Sequence, residues 1–179
     1  ANAIFSHTDA IMLSGETAYG KYPVEAVHTM AKVAYEAEKS LSDMNDVPLV
    51  ILSNQRSAYL TRAAVEAAIT LNARAIIADS ETGRSIRNMS GFRGRKPIYA
   101  FCYSKRVVRE LALSFGVFAE YIEETKNSYE FVNMALNHCL GNNLLESDDL
   151  VVVIAGNYGS NFGASFIEIS PVEKLMNRH

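Results

Sequence analysis

The residues best equipped for chemistry lie in one stretch, Asp79-Ser80-Glu81-Thr82-Gly83-Arg84-Ser85. It combines hydroxyls at Ser80, Thr82 and Ser85 with a glycine and a guanidinium. The apolar run Ala75-Ile76-Ile77-Ala78 precedes it, and the helix-competent Ile86-Arg87-Asn88-Met89 follows. A strand that turns through such a loop into a helix aims free N–H groups and the positive helix end at one point. That arrangement suits an oxyanion, phosphate above all. The stretch lacks the full glycine-rich phosphate-loop pattern. A hydroxyl-capped helix start is therefore the competing reading, and these residues alone leave both open.

Two further loops could share that site. Cys102 to Lys105 follows a second apolar run, and Ala155 to Gly163 follows a third. The latter contains three glycines, and Asn157, Gly159, Ser160 and Asn161 could close over a bound anion. It reads equally as a plain turn between antiparallel strands. His7, His28, His138 and His179 share no ligand spacing with one another or with Cys102 and Cys139, so no metal site is expected. Both cysteines sit in apolar runs and read as reduced core thiols of a cytosolic protein. Arg93, Arg95 and Lys96 read as a solvated basic turn, and Tyr99, Phe101 and Tyr103 alternate as strand residues packing a core.

The elements that must position these residues follow a regular order. Residues 9–13 are a short buried strand, Ser14 to Ala18 a turn, and Tyr22-Pro23-Val24-Glu25 opens a helix running to about Ser40. Residues 41–48 are polar and helix-poor, as a linker is. Beyond them come helix 56–71, strand 75–78, helix 84–90, strand 97–101, helix 104–114, strand 117–121, helix 127–140, strand 150–154 and strand 164–169. Alternating strands and helices imply right-handed crossovers, hence a three-layer α/β/α domain on a five-stranded, mostly parallel sheet. The last two strands are joined by too few residues for a helical crossover, so the final strand runs antiparallel at an edge. Ligands of such sheets lie beyond the carboxyl ends of the strands, where all three loops fall.

Composition narrows the function. The 179 residues are 49% apolar and 21% charged, ordinary for a soluble domain, and the net charge of -3 argues against nucleic acid or an anionic membrane as partner. No run is long and apolar enough to span a bilayer. The opening Ala1-Asn2-Ala3-Ile4 has no initiator Met and reads like the interior of a longer chain.

The stretch Thr8-Asp9-Ala10-Ile11-Met12-Leu13-Ser14-Gly15-Glu16-Thr17-Ala18-Tyr19-Gly20-Lys21-Tyr22-Pro23 resembles pyruvate kinase at the last strand of its catalytic barrel. Gly83-Arg84-Ser85, Lys96-Pro97-Ile98, Gly116-Val117 and Asp149-Leu150-Val151-Val152-Val153 extend the resemblance over essentially the whole chain. It implies that residues 1–45 are the final strand and helix of a (β/α)8 barrel and residues 46–179 the carboxy-terminal allosteric domain. It also implies a cytoplasmic glycolytic enzyme, a homotetramer, that passes phosphate from phosphoenolpyruvate to ADP with Mg²⁺ and K⁺. Ser14 and Glu16 match residues that edge the active site, in the polar network that delivers a proton to the enolate. The metal ligands and the phosphate-neutralising lysine belong to earlier strands, so this piece alone is expected to be inactive and to bind no metal. Ser80, Thr82, Gly83, Arg84 and Ser85 match the loop that holds the phosphate of an activating sugar phosphate or nucleotide. Glu81 stands where members activated by fructose 1,6-bisphosphate often carry lysine, the chain has no Trp, and Thr125 to Phe131 contains no Arg. A monophosphorylated effector such as ribose 5-phosphate, glucose 6-phosphate or AMP is therefore expected. A free-standing phosphate-binding module and a pure assembly domain are the alternatives.

Overall fold

Unbroken runs of Ala, Ile and Val make strands that are stable only between two covering layers. The computed structural model describes residues 1–41, 55–156 and 164–177, and the chain divides into two units, Ala1–Asp43 and Met44–His179. The expected linker at 41–48 lies outside the described residues except for Leu41.

The first unit contains α1 (Asn2–Phe5), the single turn α2 (Gly15–Ala18) and α3 (Pro23–Glu38). Pro23 occupies the first turn of α3, where its missing N–H costs nothing. The expected strand at 9–13 does not form, and Met12 is 85% exposed. Its apolar sequence is suited to a sheet, but a strand needs a neighbour, and none among the described residues pairs with it. Instead Ile4, Ile11, Leu13, Met30, Val33 and Ala34 line an open apolar groove of about 560 Å³ along α3.

The second unit opens with α4 (Gln55–Thr70), then β1 (Ala75–Ser80), α5 (Arg84–Gly91), β2 (Ile98–Cys102), α6 (Lys105–Leu111) and β3 (Val117–Tyr121). It continues with α7 (Ser128–Gly141), β4 (Leu150–Gly156), β5 (Ala164–Pro171) and α8 (Val172–Met176). The sheet order is β3-β2-β1-β4-β5, parallel throughout except for β5, which runs antiparallel to β4 at the edge. The expected three-layer α/β/α architecture and its antiparallel final strand are thus present. The short α8 is additional to the elements that the sequence pattern predicts.

Handedness distributes the helices. From β1 through β2 to β3 the chain steps in one direction, so right-handed crossovers place α5 and α6 on one face. The step from β3 back past β1 to β4 reverses direction and sends α7 to the other face. One core accordingly joins Ala64 and Ala68 of α4, Ile86 and Met89 of α5, and Leu111 of α6 to Ile76, Ala78, Ala100 and Val152. The opposite core joins Phe131, Leu136 and Cys139 of α7 and Leu175 of α8 to Ile77, Phe101, Val151 and Val153. The alanines of α4 let that helix lie close on the sheet. At the start of α7 the Asn127 side chain accepts the Glu130 N–H (2.9 Å) while the Glu130 carboxylate accepts the Lys126 N–H (2.6 Å). This is a reciprocal cap that fixes where the reversed crossover begins.

Ile77 is fully buried at the centre of β1. Ile77→Ala is expected to destabilise the second unit by about 2–5 kcal/mol. The check is a lowered urea midpoint with an unchanged slope.

Candidate functional site

At the carboxyl end of β1 the chain must leave a crowded sheet and start α5 within a few residues. Gly83 makes this possible by adopting the left-handed conformation, φ +74°, as the residue before the helix. A Cβ there would stand 3.0 Å from Arg87 Nη1, 3.0 Å from Val107 Cγ1 and 3.3 Å from Leu111 Cδ2. The loop is therefore pressed against α6 as well as against its own helix. Ser80 Oγ accepts the Gly83 N–H at 2.9 Å, closing the turn. The same hydroxyl keeps its hydrogen, which remains available to donate. Arg87 Nη2 donates to the Thr82 carbonyl at 2.8 Å and bridges toward Glu110 at 3.8 Å, which Arg106 also holds at 2.7 Å.

Of the residues expected to bind an anion, Ser80, Gly83 and Ser85 are buried, whereas Thr82 and Arg84 are exposed. Ser80 ends β1, Thr82 and Gly83 lie in the turn, and Arg84 and Ser85 open α5. The Gly83 N–H faces Ser80 rather than outward, so main-chain donation to a ligand falls to the first-turn amides of Arg84, Ser85 and Ile86, which lack a partner within the helix. Asn157, Gly159, Ser160 and Asn161 lie outside the described residues. Ser14 and Glu16 belong to the first unit. There Glu16 Oε2 accepts the Ser14 N–H (3.2 Å), and the Ser14 carbonyl accepts from the Ala18 N–H (3.0 Å) and Thr17 Oγ1 (3.2 Å). Both side chains are exposed, and the turn is closed by the Ser14 main chain and the Glu16 carboxylate, with no hydrogen bond from the Ser14 hydroxyl to the helix. Among the described residues no group of three or more His, Cys, Asp or Glu could hold a metal ion.

Asp79 is not marked as a site residue by the sequence pattern, yet its carboxylate is held by two other strand ends. Its carboxylate sits where β1 and β4 part, the point at which strand order reverses. Oδ1 accepts the Gly156 N–H from the end of β4 at 3.1 Å, and Oδ2 accepts the Tyr103 hydroxyl from the end of β2 at 3.0 Å. Ser128 Oγ at the start of α7 reaches the Gly156 carbonyl at 3.5 Å. One carboxylate therefore ties three strand ends together. Burial raises its pKa above 3.8, and the hydrogen bonds from Gly156 and Tyr103 offset only part of that rise. The available signal was an acid placed directly after a wholly apolar strand. Cys102, the cross-strand partner of Ser80, is pushed up to about 11 by burial and then by the Asp79 charge, with Arg87 pulling the other way. Cys139 is also pushed up to about 11, by burial, so both thiols are protonated at neutral pH.

The chain matches the family model described as pyruvate kinase, alpha/beta domain, over residues 59–169. The chain belongs to the pyruvate kinase family. It is 39% identical over 178 residues to a pyruvate kinase of Borreliella burgdorferi, covering 97% of this chain and 37% of that one. A pyruvate kinase of Bacillus licheniformis is 40% identical over 163 residues, covering 89% of this chain and 28% of the relative. Among solved structures, Cryptosporidium parvum pyruvate kinase in complex with ADP superposes with a TM-score of 0.78 at 29% identity, over 96% of this chain and 35% of that chain. The chain thus spans about a third of the length of the pyruvate kinases it matches.

Two outcomes follow from the loop and its carboxylate. Gly83→Ala is expected to cost about 1–2 kcal/mol from the left-handed backbone alone, with crowding against Val107 adding to it, read by thermal denaturation. Because folding raises the proton affinity of Asp79, its contribution to stability is complete below pH 3.8 and is lost as pH rises through its folded pKa. Asp79→Asn should remove that slope, measured as urea midpoints across the acid-to-neutral range.

Proposed function

We propose that this chain is the carboxy-terminal regulatory and assembly portion of a pyruvate kinase, and that its β1–α5 loop binds the phosphate of a small allosteric effector. The observation that carries the effector reading is the left-handed Gly83 at the mouth of α5, with Ser80 at the end of β1, Thr82 in the turn and Ser85 at the start of α5. Hydroxyls and first-turn amides are donors matched to phosphate oxygens, and the helix end adds favourable potential. Arg84, which opens α5, adds a cation. Glu81, exposed in the same loop, disfavours a second phosphate, so the ligand is a monophosphorylated sugar or nucleotide.

The whole enzyme would transfer a phosphoryl group from phosphoenolpyruvate to ADP in the cytoplasm, as a homo-oligomer using Mg²⁺ and K⁺. In that setting residues 1–45 would complete the catalytic barrel, and Ser14 and Glu16 would edge the active site and relay a proton to the enolate. Without the remaining strands there is no metal cradle or cationic clamp, which supply most of the catalysis in phosphoryl transfer. The apolar groove along α3 supports this reading, since it presents the kind of face a barrel helix turns toward its strands.

The purified 179-residue chain should therefore show no turnover of phosphoenolpyruvate with ADP in a lactate dehydrogenase-coupled assay. Turnover by the chain would overturn that assignment. In the full-length enzyme, Thr82→Ala combined with Ser85→Ala should shift the effector activation curve to higher concentration, leaving kcat at saturating substrate unchanged. An unaltered activation curve would remove the loop from the effector site. If calorimetric titration with ribose 5-phosphate, glucose 6-phosphate and AMP gives no heat, the domain serves assembly alone.

A further inference from the structure

On one side the sheet ends at β3, where the rings of Phe118 and Tyr121 are exposed. We propose that this edge is a docking strand for an extended basic segment of a partner protein, one carrying Arg or Lys at every second residue. The proposal uses no residue of the β1–α5 loop and does not depend on the effector reading.

The backbone supplies the template. Among the described residues β3 pairs with β2 alone. The Ile98 N–H donates to the Gly116 carbonyl at 2.9 Å, and the Ile122 N–H donates to the Cys102 carbonyl at 3.0 Å. Those two bonds set the phase of the ladder. Gly116, Phe118, Glu120 and Ile122 turn their main chain toward β2, so Val117, Ala119 and Tyr121 turn theirs outward. The Val117 N–H is taken by the Ser114 carbonyl at 3.4 Å. The N–H and C=O groups of Ala119 and Tyr121 are placed to receive one more strand.

Side-chain alternation decides what that strand would meet. Val117 and Ala119 pack into the core under α5 and α6, so Phe118 and Glu120 face the α7 layer. Helix α7 covers the middle of that face, with the Phe131 ring 6.1 Å from Phe101. Toward the edge the face is open: Phe118 is 59% exposed, its ring 5.8 Å from that of Tyr99, and Glu120 is exposed beside it. Glu123 and Glu124, also exposed, continue the acidic run past the strand. Among the described residues none of these three glutamates is in an ion pair. The nearby cations Lys105, Arg106 and Arg109 belong to α6, in the opposite layer, where Lys105 lies over the Tyr121 ring at 5.2 Å. A guanidinium opposite Phe118 would stack on its ring, and one two residues along would meet the Glu120 carboxylate. A second copy of this chain would bring another Glu120, Glu123 and Glu124 to the same edge. Charge therefore selects a basic segment over a copy.

The probe is a short peptide that alternates arginine with valine and threonine, added to the 179-residue chain. The Ala119 and Tyr121 amide resonances should shift and gain protection from hydrogen exchange. A peptide of the same composition with its arginines in one block should bind several-fold more weakly, because only alternation puts every cation on one face. Phe118→Ala and Glu120→Gln should each weaken binding about threefold. Ala119→Pro should abolish it, since the N–H lost points away from β2 and the ladder of the sheet itself is kept. Should Ala119→Pro not fold, the alternating peptide N-methylated along its pairing edge makes the same test on the parent chain and should not bind. Absence of binding, equal binding of the alternating and blocked peptides, or shifts confined to Ile167 and Ile169 at the other edge would overturn the proposal. So would protection of Ala119 and Tyr121 that grows with chain concentration alone, which would assign the edge to a second copy.

Discussion

The parallel pairing of β1 with β4, Ile76 against Val152 and Ile77 against Val153, is the contact around which the second unit is built. Both strands are buried on both faces, so neither can persist without helices above and below. The same pairing marks the place where the chain reverses its march across the sheet. Right-handed crossovers then leave one side of β1 followed by α5 and send α7 to the opposite layer. The crevice at the carboxyl ends of these two strands is a consequence of chain direction, and it exists before any polar residue is placed in it.

Two side chains facing opposite layers give that crevice its character. Ser80 turns to the α5 side and closes the loop by accepting from Gly83. Asp79 turns to the α7 side and holds the ends of β2 and β4. The period-two alternation of a strand is enough to separate them. A donor-rich turn and a half-buried carboxylate thus stand one residue apart, on opposite faces of the sheet. Burying that carboxylate is unfavourable, and its raised proton affinity records the cost.

The first unit follows different physics. Its α3 has an apolar stripe that any reading of the sequence finds, and the helix forms over the expected span. The neighbouring run at 9–13 has equally suitable residues, yet no strand results. A helix satisfies its hydrogen bonds within itself, whereas a strand must find them in another segment.

The sequence alone settled the order and type of nearly every element of the second unit, because its apolar runs are short and uninterrupted and its helices keep a clear period. The antiparallel final strand was equally legible, since a short connection cannot carry a crossover. The loop at 80–85 was also visible, through its hydroxyls and its single glycine. Only the tertiary structure decided that the Gly83 amide turns inward and that Ser80 is its acceptor. It alone made Asp79 the tie between three strand ends. The partners of Asp79, at Tyr103 and Gly156, lie 24 and 77 residues away along the chain. Local pattern reports which way a residue faces; only the folded sheet determines what it meets there.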